Sequence, residues 1–352
     1  MKKSDKTPLK GQSLEELQQF FQEIGEPDYR AEQLFRWMYE KMANSYDEVT
    51  TLPKSLREKL QKYGELSRAT VIDQTGNATD DTVKFLIGLD DGMNVEAVYI
   101  PEDDRVTVCL SSQVGCAVDC DFCATGKMGF FRHLDAGEIF EQFRILQQFS
   151  PRKITNIVFM GMGEPFNNYN NVIKAAELFN DDMGPNIGRK RITISTSGIV
   201  PRILQYTNED QPYRLAISLN ATTDKDRSNL IPINKRWGIR DVLNAAKRYT
   251  QVSGNRITFE YVLMEGITDR VEDAHRLRSM LKDISCKLNV IPFNEVGSAY
   301  KRPSDNRIEK FLEALSPTPF ALTVRWSRGR DINAACGQLY AKNEKKTRET
   351  VA

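Results

Sequence analysis

Histidine and cysteine are scarce in this sequence, and their scarcity limits the kinds of site that it can form. The 352 residues include 2 histidines and 6 cysteines. A fold held together by disulfides has a far higher fraction of cysteine in a much shorter chain. A zinc or iron site built on several histidines has too few candidate ligands here. The sequence therefore excludes a disulfide scaffold and a histidine-rich metal site.

The chain also has almost no net charge and no long apolar run. Lysine plus arginine number 49 against 48 aspartate plus glutamate, so the net charge of +1 indicates neither a nucleic-acid nor a membrane partner. The basic N-terminus has no apolar segment behind it, and no stretch approaches the ~18 apolar residues of a membrane span. We therefore expect a cytoplasmic protein without a membrane partner. In that reducing compartment, clustered thiols are metal ligands or redox groups more often than structural bridges.

Hydropathy patterns divide the chain into two domains and a connector. Residues 1–82 predict a small helical accessory domain, whose first helix begins at a capping box of Ser13 and Glu16. Residues 83–105 alternate with a period of two around Asp91-Gly92, which predicts a β-hairpin connector. The main domain is predicted over 106–340, and a polar tail over 341–352.

Strand and helix patterns alternate through the main domain. Helical patterns separate six near-continuous apolar runs, which predict strands at 107–112, 154–160, 191–196, 213–219, 256–264 and 287–293. Such βα units predict a parallel sheet, which is either doubly wound or curled into a partial barrel. In both architectures the functional groups gather at the carboxyl ends of the strands.

Three of the six cysteines form a metal-ligand pattern in the loop after the first of these strands. Cys116, Cys120 and Cys123 have the spacing C-x3-C-x2-C. Three thiolates on one short loop can hold three corners of a 4Fe-4S cluster and leave the fourth iron open to another ligand. A structural zinc site is the alternative, but zinc sites usually use paired spacings and need a fourth protein ligand nearby. The spacing therefore favours an iron–sulfur cluster.

The motifs around these cysteines resemble those of a known enzyme family. The run CAVDCDFC resembles the cluster motif of the radical S-adenosylmethionine (SAM) superfamily. The wider series SSQVGC, CATGKMGF, MGMGEP, STSG, SLN, IPFN and DINAACGQLY resembles, in order, the dual-specificity 23S rRNA and tRNA adenine-C2 methyltransferases. The resemblance extends from the segment EPDYRAEQLFRWMY to Leu339, nearly the whole chain. It implies an α/β fold, a partial (β/α)6 barrel preceded by the helical domain and the hairpin.

The resemblance also implies a set of cofactor-binding residues. The cluster binds SAM through the methionine amino and carboxylate groups, and each turnover uses two SAM molecules. The SAM-binding residues that it implies lie at the ends of predicted strands: Gly163, Glu164, Ser195, Ser218, Leu219, Asn220 and Asn294. Many relatives have histidine where this chain has Asn220. The resemblance therefore implies a SAM contact by the backbone of that position more than by its side chain.

Two further cysteines and one carboxylate complete the implied catalytic set. Carbon 2 of adenine is electron-poor, so methylation there requires a radical route. In the implied mechanism Cys336 is first S-methylated, and the derived methylene radical then joins the adenine to the protein. Glu96 accepts the ring proton, and Cys109 releases the product by forming a transient disulfide with Cys336, which thiol exchange reopens. Cys286 is expected only to pack.

The implied partners are 23S rRNA, tRNA, an electron donor such as flavodoxin with its reductase, and a thiol reductant. Residues 224–256 contain eight Lys or Arg against three Asp, and residues 321–352 contain seven against three acids. Such segregated charge is typical of an RNA-contacting patch, although solvated faces give similar counts. We expect the N-terminal helices to bind folded RNA, the target base to be flipped into the barrel mouth, and the protein to act as a monomer.

Two alternative functions remain open from the sequence. One is the related adenine-C8 methyltransferase that confers antibiotic resistance, although Val114, Pro165 and Ser197 resemble the C2 group. The other is a metal-stabilised RNA-binding module without catalysis, which would bind zinc or a closed cluster and would tolerate Cys336→Ala.

Overall fold

The computed structural model of the protein describes residues 6–66, 69–76, 81–295, 298–326 and 332–342. Its N-terminal part contains the elements β1 (Thr7–Pro8), α1 (Leu14–Glu23), α2 (Asp28–Tyr39), α3 (Lys54–Tyr63) and β2 (Gly64–Glu65). The predicted capping box is confirmed, since Ser13 accepts from the backbone N–H of Glu16 and the Glu16 carboxylate accepts from that of Ser13. The predicted helical character of this region is therefore confirmed up to α3.

Three antiparallel strands follow the helices. These are β3 (Ala69–Thr75), β4 (Val83–Leu89) and β5 (Asn94–Pro101). Strands β4 and β5 form the hairpin predicted around Asp91-Gly92. Strand β3 was not predicted, because its sequence ATVIDQT is polar and mostly exposed at the edge of the sheet. The hairpin does not stand apart from the main domain, since β5 pairs with the first strand of the barrel.

The main domain alternates strands and helices as predicted. Its elements are β6 (Val106–Cys109), β7 (Gln113–Gly115), α4 (Ala124–Lys127), β8 (Phe130–His133), α5 (Ala136–Phe149), β9 (Asn156–Phe159), α6 (Tyr169–Asn180), β10 (Ile192–Thr196), α7 (Val200–Asn208), β11 (Arg214–Ser218), α8 (Asp224–Leu230), α9 (Ile239–Ser253), β12 (Ile257–Leu263), α10 (Val271–Leu281), β13 (Cys286–Pro292), α11 (Asp305–Leu315) and β14 (Ala321–Val324). Among the helices in the described ranges, none has the length and apolar character that a membrane span needs.

The order of the strands distinguishes between the two predicted architectures. The parallel strands neighbour one another in the order β6, β9, β10, β11, β12, β13 and β14. A doubly wound sheet reverses its strand order at a switch point, whereas this order follows the chain without reversal. The two edges of the ten-stranded sheet, β14 and β3, are not paired with each other. The fold is therefore a partial barrel of six predicted parallel strands, extended by β14 and by the antiparallel strands.

A buried ionic contact joins the N-terminal part to the barrel. The Nζ atom of Lys10 lies 2.7 Å from a carboxylate oxygen of Glu141 on α5, and Arg144 donates two hydrogen bonds to the same carboxylate. All three side chains are buried. Close backbone packing accompanies this contact, because a Cβ on Gly137 would lie 2.1 Å from the carbonyl oxygen of Lys10.

We expect Glu141→Gln to destabilise the protein by about 3–5 kcal/mol, because glutamine leaves two buried cations without a counter-charge. The charges of Lys10 and Arg144 hold the pKa of Glu141 below its usual value, although burial alone would raise it. The stabilisation is therefore complete above the ordinary carboxyl pKa and is lost as the pH falls through the lowered one. Urea unfolding at several pH values measures the difference.

The matched control is Glu32→Gln, which removes an exposed ion pair with Arg36 on α2 and should cost under about 1 kcal/mol. Equal losses of stability in the two variants would contradict the role assigned to the buried contact.

Candidate active site

The loop with the three clustered cysteines is fixed at several points. It lies between β7 and β8, which pair with each other. The N–H of Cys116 donates to the carbonyl oxygen of Gly129 at 3.0 Å, and that of Asp121 to Leu230 at the end of α8. At its far end, the N–H of Ala124 donates to the carbonyl oxygen of Gly337 at 2.8 Å. The cysteine loop is therefore bound to the C-terminal segment that contains Cys336.

The three cysteine side chains share one cavity, which we call the cluster cavity. It has a volume of about 160 Å³ and lies at the carboxyl ends of the parallel strands. Ten of the predicted site residues line it: Cys116, Cys120, Cys123, Gly163, Glu164, Ser195, Ser218, Asn220, Asn294 and Cys336. Strand-end placement therefore brings together residues that are more than 200 positions apart in the sequence.

The donor set of the cluster cavity fits an iron–sulfur cluster. All three cysteines are free thiols, and the residues are partly exposed while their sulfur atoms lie inside the cavity. Burial raises the pKa of Cys116 to about 12 and raises that of Cys120 well above its ordinary value. Metal ions deprotonate the thiols that coordinate them, so bound iron would supply the positive charge that these buried sulfur atoms need as thiolates.

The wall beside the cysteines presents polar groups that fit the amino-acid part of SAM. Glu164 is buried, and its two carboxylate oxygens accept from the N–H groups of Phe166 at 2.9 Å and Ser197 at 2.7 Å. Gly163 has φ +101°, and a Cβ there would lie 2.6 Å from Gln113. This strand end therefore holds a fixed carboxylate next to a backbone conformation and a close contact that require glycine.

The asparagines of the set have different environments. Asn220 has φ +54°, and its side-chain oxygen accepts from the N–H of Val262 at 3.0 Å. The side-chain nitrogen of Asn294 donates to the carbonyl oxygen of Cys336 at 3.1 Å. In the described ranges no group donates to the buried side-chain oxygen of Asn294, which leaves an acceptor for a bound cofactor.

One predicted SAM-binding residue does not reach the cavity. Leu219 is fully buried in the hydrophobic core and is not among the residues that line the cluster cavity. Its backbone N–H donates to the carbonyl oxygen of Glu260. Leu219 therefore fixes the β11 strand end by backbone hydrogen bonding.

Cys336 lies in the wall between the cluster cavity and a second, larger cavity. This lumen cavity has a volume of about 600 Å³ inside the barrel, and both Cys336 and Cys109 line it. Cys109 is buried at the end of β6, and burial raises its pKa to about 12. The predicted thiol pair is therefore placed in one cavity, whereas Cys286 is buried at the start of β13 and lines neither cavity.

Sequence reasoning missed two charged residues beside this pair, Glu260 and Arg325, which both line the lumen cavity. Glu260, on β12, also lines both cavities and accepts a hydrogen bond from the Ser195 hydroxyl at 3.2 Å. Burial raises the pKa of Glu260, while the charge of Arg325 opposes this. A glutamate inside the apolar run RITFEYVLM was the available signal, because an acid at such a position must face a polar interior.

Glu96 lies behind the C-terminal segment and lines neither cavity. One carboxylate oxygen pairs with Nζ of Lys84 at 2.9 Å, and the other accepts from the N–H of Tyr340 at 2.8 Å. Burial raises the pKa of Glu96, and the Lys84 contact opposes the rise. This carboxylate is therefore desolvated, and it binds the segment that follows Cys336.

The basic segment 224–256 needs one correction as a candidate RNA patch. Arg227 is fully buried, so it cannot contact RNA. Its guanidinium donates to oxygen atoms of Ser197, Ser218, Leu219 and Asn234. Arg227 therefore links the ends of β10 and β11 instead. Of the other basic segment, 321–352, positions 327–331 and 343–352 lie outside the described residues.

An open barrel of parallel strands, with three cysteines facing a strand-end cavity, is the arrangement of a radical SAM enzyme. Residues 110–277 match the Radical SAM superfamily, and residues 7–66 match the ribosomal RNA large subunit methyltransferase N-terminal domain. Together with the full-length relatives described next, these matches show that the chain belongs to the dual-specificity RNA methyltransferases of the radical SAM superfamily. Membership of this superfamily implies a 4Fe-4S cluster and SAM.

The similarity extends over nearly the whole chain. A probable dual-specificity RNA methyltransferase RlmN of Rippkaea orientalis is 44% identical over 334 residues, covering 95% of this chain and 97% of that protein. A dual-specificity RNA methyltransferase RlmN of a Marinomonas species is 43% identical over 357 residues, covering 98% and 96%. The crystal structure of a radical SAM methyltransferase from Sphaerobacter thermophilus superposes with a TM-score of 0.91 at 42% identity, covering 95% of this chain and 99% of that chain.

Proposed function

We propose that the protein methylates carbon 2 of adenine in 23S rRNA, at the peptidyl-transferase centre, and in tRNA next to the anticodon, with Cys336 as the methyl carrier. One observation carries the proposal: Cys336 lies between the cavity of the cluster cysteines and the cavity that contains Cys109. The similarity to full-length dual-specificity RNA methyltransferases supports RNA as the substrate and does not favour the C8 or the non-catalytic alternative.

The cluster cavity provides the cofactor sites. Cys116, Cys120 and Cys123 would hold the 4Fe-4S cluster, while Glu164 and the free oxygen of Asn294 would bind the amino-acid part of SAM. When bound, the cluster and SAM supply a 5′-deoxyadenosyl radical.

The two thiols act in sequence. The sulfur of Cys336 carries the methyl group as a thioether and becomes linked to the adenine through it. The Cys109 thiolate then attacks the Cys336 sulfur, so that a sulfur–sulfur bond forms and the carbon–sulfur bond breaks. The electron pair of the broken bond moves to the methylene carbon, and protonation of that carbon gives the methyl group of the released base. The lumen cavity that both cysteines share is large enough to hold the flipped base during these steps.

Glu96 is proposed as the acceptor of the ring proton. It is a buried carboxylate with a raised pKa, which suits a general base. Its contact with the N–H of Tyr340 places it against the segment that carries Cys336.

The remaining partners follow from this chemistry. Two SAM molecules are used per turnover, one to methylate Cys336 and one to be cleaved. An electron donor such as flavodoxin with its reductase reduces the cluster, and a thiol reductant reopens the Cys109–Cys336 disulfide. We propose that a monomer performs the reaction in the cytoplasm, where such reductants occur.

Anaerobic purification tests the proposed cofactor chemistry directly. The protein should be brown and, once reduced, should convert SAM to 5′-deoxyadenosine. Cys120→Ser should lose both properties, whereas Cys286→Ser, which changes a cysteine outside both cavities, should keep them. A colourless protein that contains zinc and leaves SAM intact would contradict the proposal and support the non-catalytic alternative.

Arg325→Leu should slow the alkylation of Cys336 and shift its pH profile upward. Burial raises the pKa of Cys336, and the charge of Arg325 opposes this rise. Without that charge the reactive thiolate forms only at higher pH. Mass spectrometry of the unmethylated Cys336 peptide after timed iodoacetamide treatment measures the rate. Arg325→Lys, which keeps a cation, is the control and should retain most of the wild-type profile; an unchanged profile in Arg325→Leu would contradict the role of Arg325.

A further inference from the structure

The interior of this barrel is polar and open to solvent, unlike the packed interior of an ordinary closed barrel. Lumen-facing positions on successive strands are partly exposed, and they include Thr107, Asn156, Thr193, Thr258 and Asn289. Their neighbours in the strands, such as Val108, Ile157 and Leu288, are buried apolar residues that face the helices. The lumen cavity therefore connects the thiol pair to solvent at the amino-terminal ends of the strands.

Cations surround this entrance. Arg105, Arg214 and Lys287 line the lumen cavity, and Arg214 and Lys287 also line an adjacent cavity together with Arg256. Burial lowers the pKa of Lys287, and the charges of Arg105 and Arg214 lower it further. Arg105 is paired with Glu102. Within the described ranges, no carboxylate forms a salt bridge with Arg214 or Lys287, so their charges are available to an anion.

We propose that this entrance admits an anionic low-molecular-weight thiol, which is the reductant that reopens the Cys109–Cys336 disulfide. The inference rests on the proposed function, because that function creates the disulfide. Arg214 and Lys287 attract the carboxylate of the thiol, and the polar lumen leads its sulfur to the disulfide. The RNA has to leave the lumen before the thiol can enter.

Two molecules of the small thiol reduce the Cys109–Cys336 disulfide in two steps. The first thiolate attacks the sulfur of Cys109, forms a mixed disulfide and expels the Cys336 thiolate, whose negative charge Arg325 stabilises. The second thiolate attacks the outer sulfur of the mixed disulfide and releases Cys109. The Cys109–Cys336 disulfide gains two electrons and two protons, and the two small thiols become one small disulfide.

The position of the sulfur atoms favours a small reductant over a protein. Cys109 is only 7% exposed, and its sulfur lies inside the barrel. A redox protein must present its own cysteines on a folded surface, which cannot enter a barrel interior. A small thiol can diffuse through the polar lumen, and the cations at the entrance raise its local concentration.

A charge series of thiols tests the proposal. The holoenzyme completes one round on RNA without thiol, the RNA is removed, and disulfide loss is followed by differential alkylation and peptide mass spectrometry. Mercaptopropionate, mercaptoethanol and cysteamine provide an anion, a neutral molecule and a cation. To remove differences in intrinsic reactivity, the rate at which each thiol reduces the enzyme disulfide is divided by the rate at which it reduces a small disulfide in solution. We expect the anion to be about tenfold faster than the neutral thiol, the cation to be slower, and added salt to reduce the difference.

Charge-removing variants test whether Arg214 and Lys287 cause the advantage of the anionic thiol. Arg214→Gln/Lys287→Gln should remove most of the anionic advantage, while Lys247→Gln, on the outer helix α9, should keep it. Circular dichroism verifies that the variants fold. Equal normalised rates for the three thiols, an unchanged advantage in the double variant, or faster reduction by thioredoxin would each overturn the proposal. Absence of the disulfide after turnover would instead overturn the proposed role of Cys109, and this inference with it.

Discussion

Cys336→Ala should abolish RNA methylation while leaving the cofactor chemistry in place. Alanine removes the sulfur that carries the methyl group, and loss of a covalent catalytic group costs about 10³-fold or more in turnover. The cluster cysteines remain, so the variant should still be brown and should still cleave SAM when reduced. Mass spectrometry should find S-methylcysteine at Cys336 in the wild-type protein and should find no methyl group on the corresponding variant peptide.

The matched control for this prediction is Cys286→Ala. Cys286 is buried at the start of β13 and lines neither cavity, so its replacement tests the effect of losing a buried thiol alone. It should cost some stability and keep RNA methylation. Methylation by Cys336→Ala at a rate near that of the wild type would refute the covalent mechanism.

Cys109→Ala should trap the enzyme on its RNA. Without the second thiol, nothing breaks the bond between the Cys336 sulfur and the methylated base. The variant should therefore complete one addition and stop, and a protein–RNA adduct should accumulate to nearly one per active enzyme. Denaturing gels should show a shifted band that collapses on nuclease treatment.

The double variant Cys109→Ala/Cys336→Ala is the control, and it should give no adduct because the carrier sulfur is missing. Cys109→Ser should also trap the adduct, because the serine hydroxyl cannot form a disulfide with Cys336. Continuous turnover by Cys109→Ala would show that another group resolves the intermediate.

The barrel was predictable because its strands are mostly buried, although several lumen-facing positions near their amino-terminal ends are partly exposed. Their near-continuous apolar runs distinguish them from the amphipathic helices between them. Strands β3 and β14 lie at the two edges of the sheet and are partly or largely exposed, so their sequences ATVIDQT and ALTV lack such a run. Those two strands became visible only through their pairing with β4 and β13.

The strand-end residues of the site were predictable for a related reason. Parallel strands bring their carboxyl ends to one edge, so Glu164, Ser195 and Ser218 reach one cavity whatever the helices between them contain. The environment of Glu96 was not predictable, because its partners Lys84 and Tyr340 depend on long-range packing of the C-terminal segment. Arg227 was assigned to a surface by its neighbours in sequence, although the fold buries it.

Nucleoside mass spectrometry of RNA from cells with and without the gene tests the central claim most directly. We expect 2-methyladenosine to be present in both 23S rRNA and tRNA of cells with the gene, and to be absent from both without it. Complementation with the wild-type gene should restore the modification, and complementation with Cys336→Ala should not. Loss of 8-methyladenosine, or an unchanged set of methylated adenosines, would contradict the account.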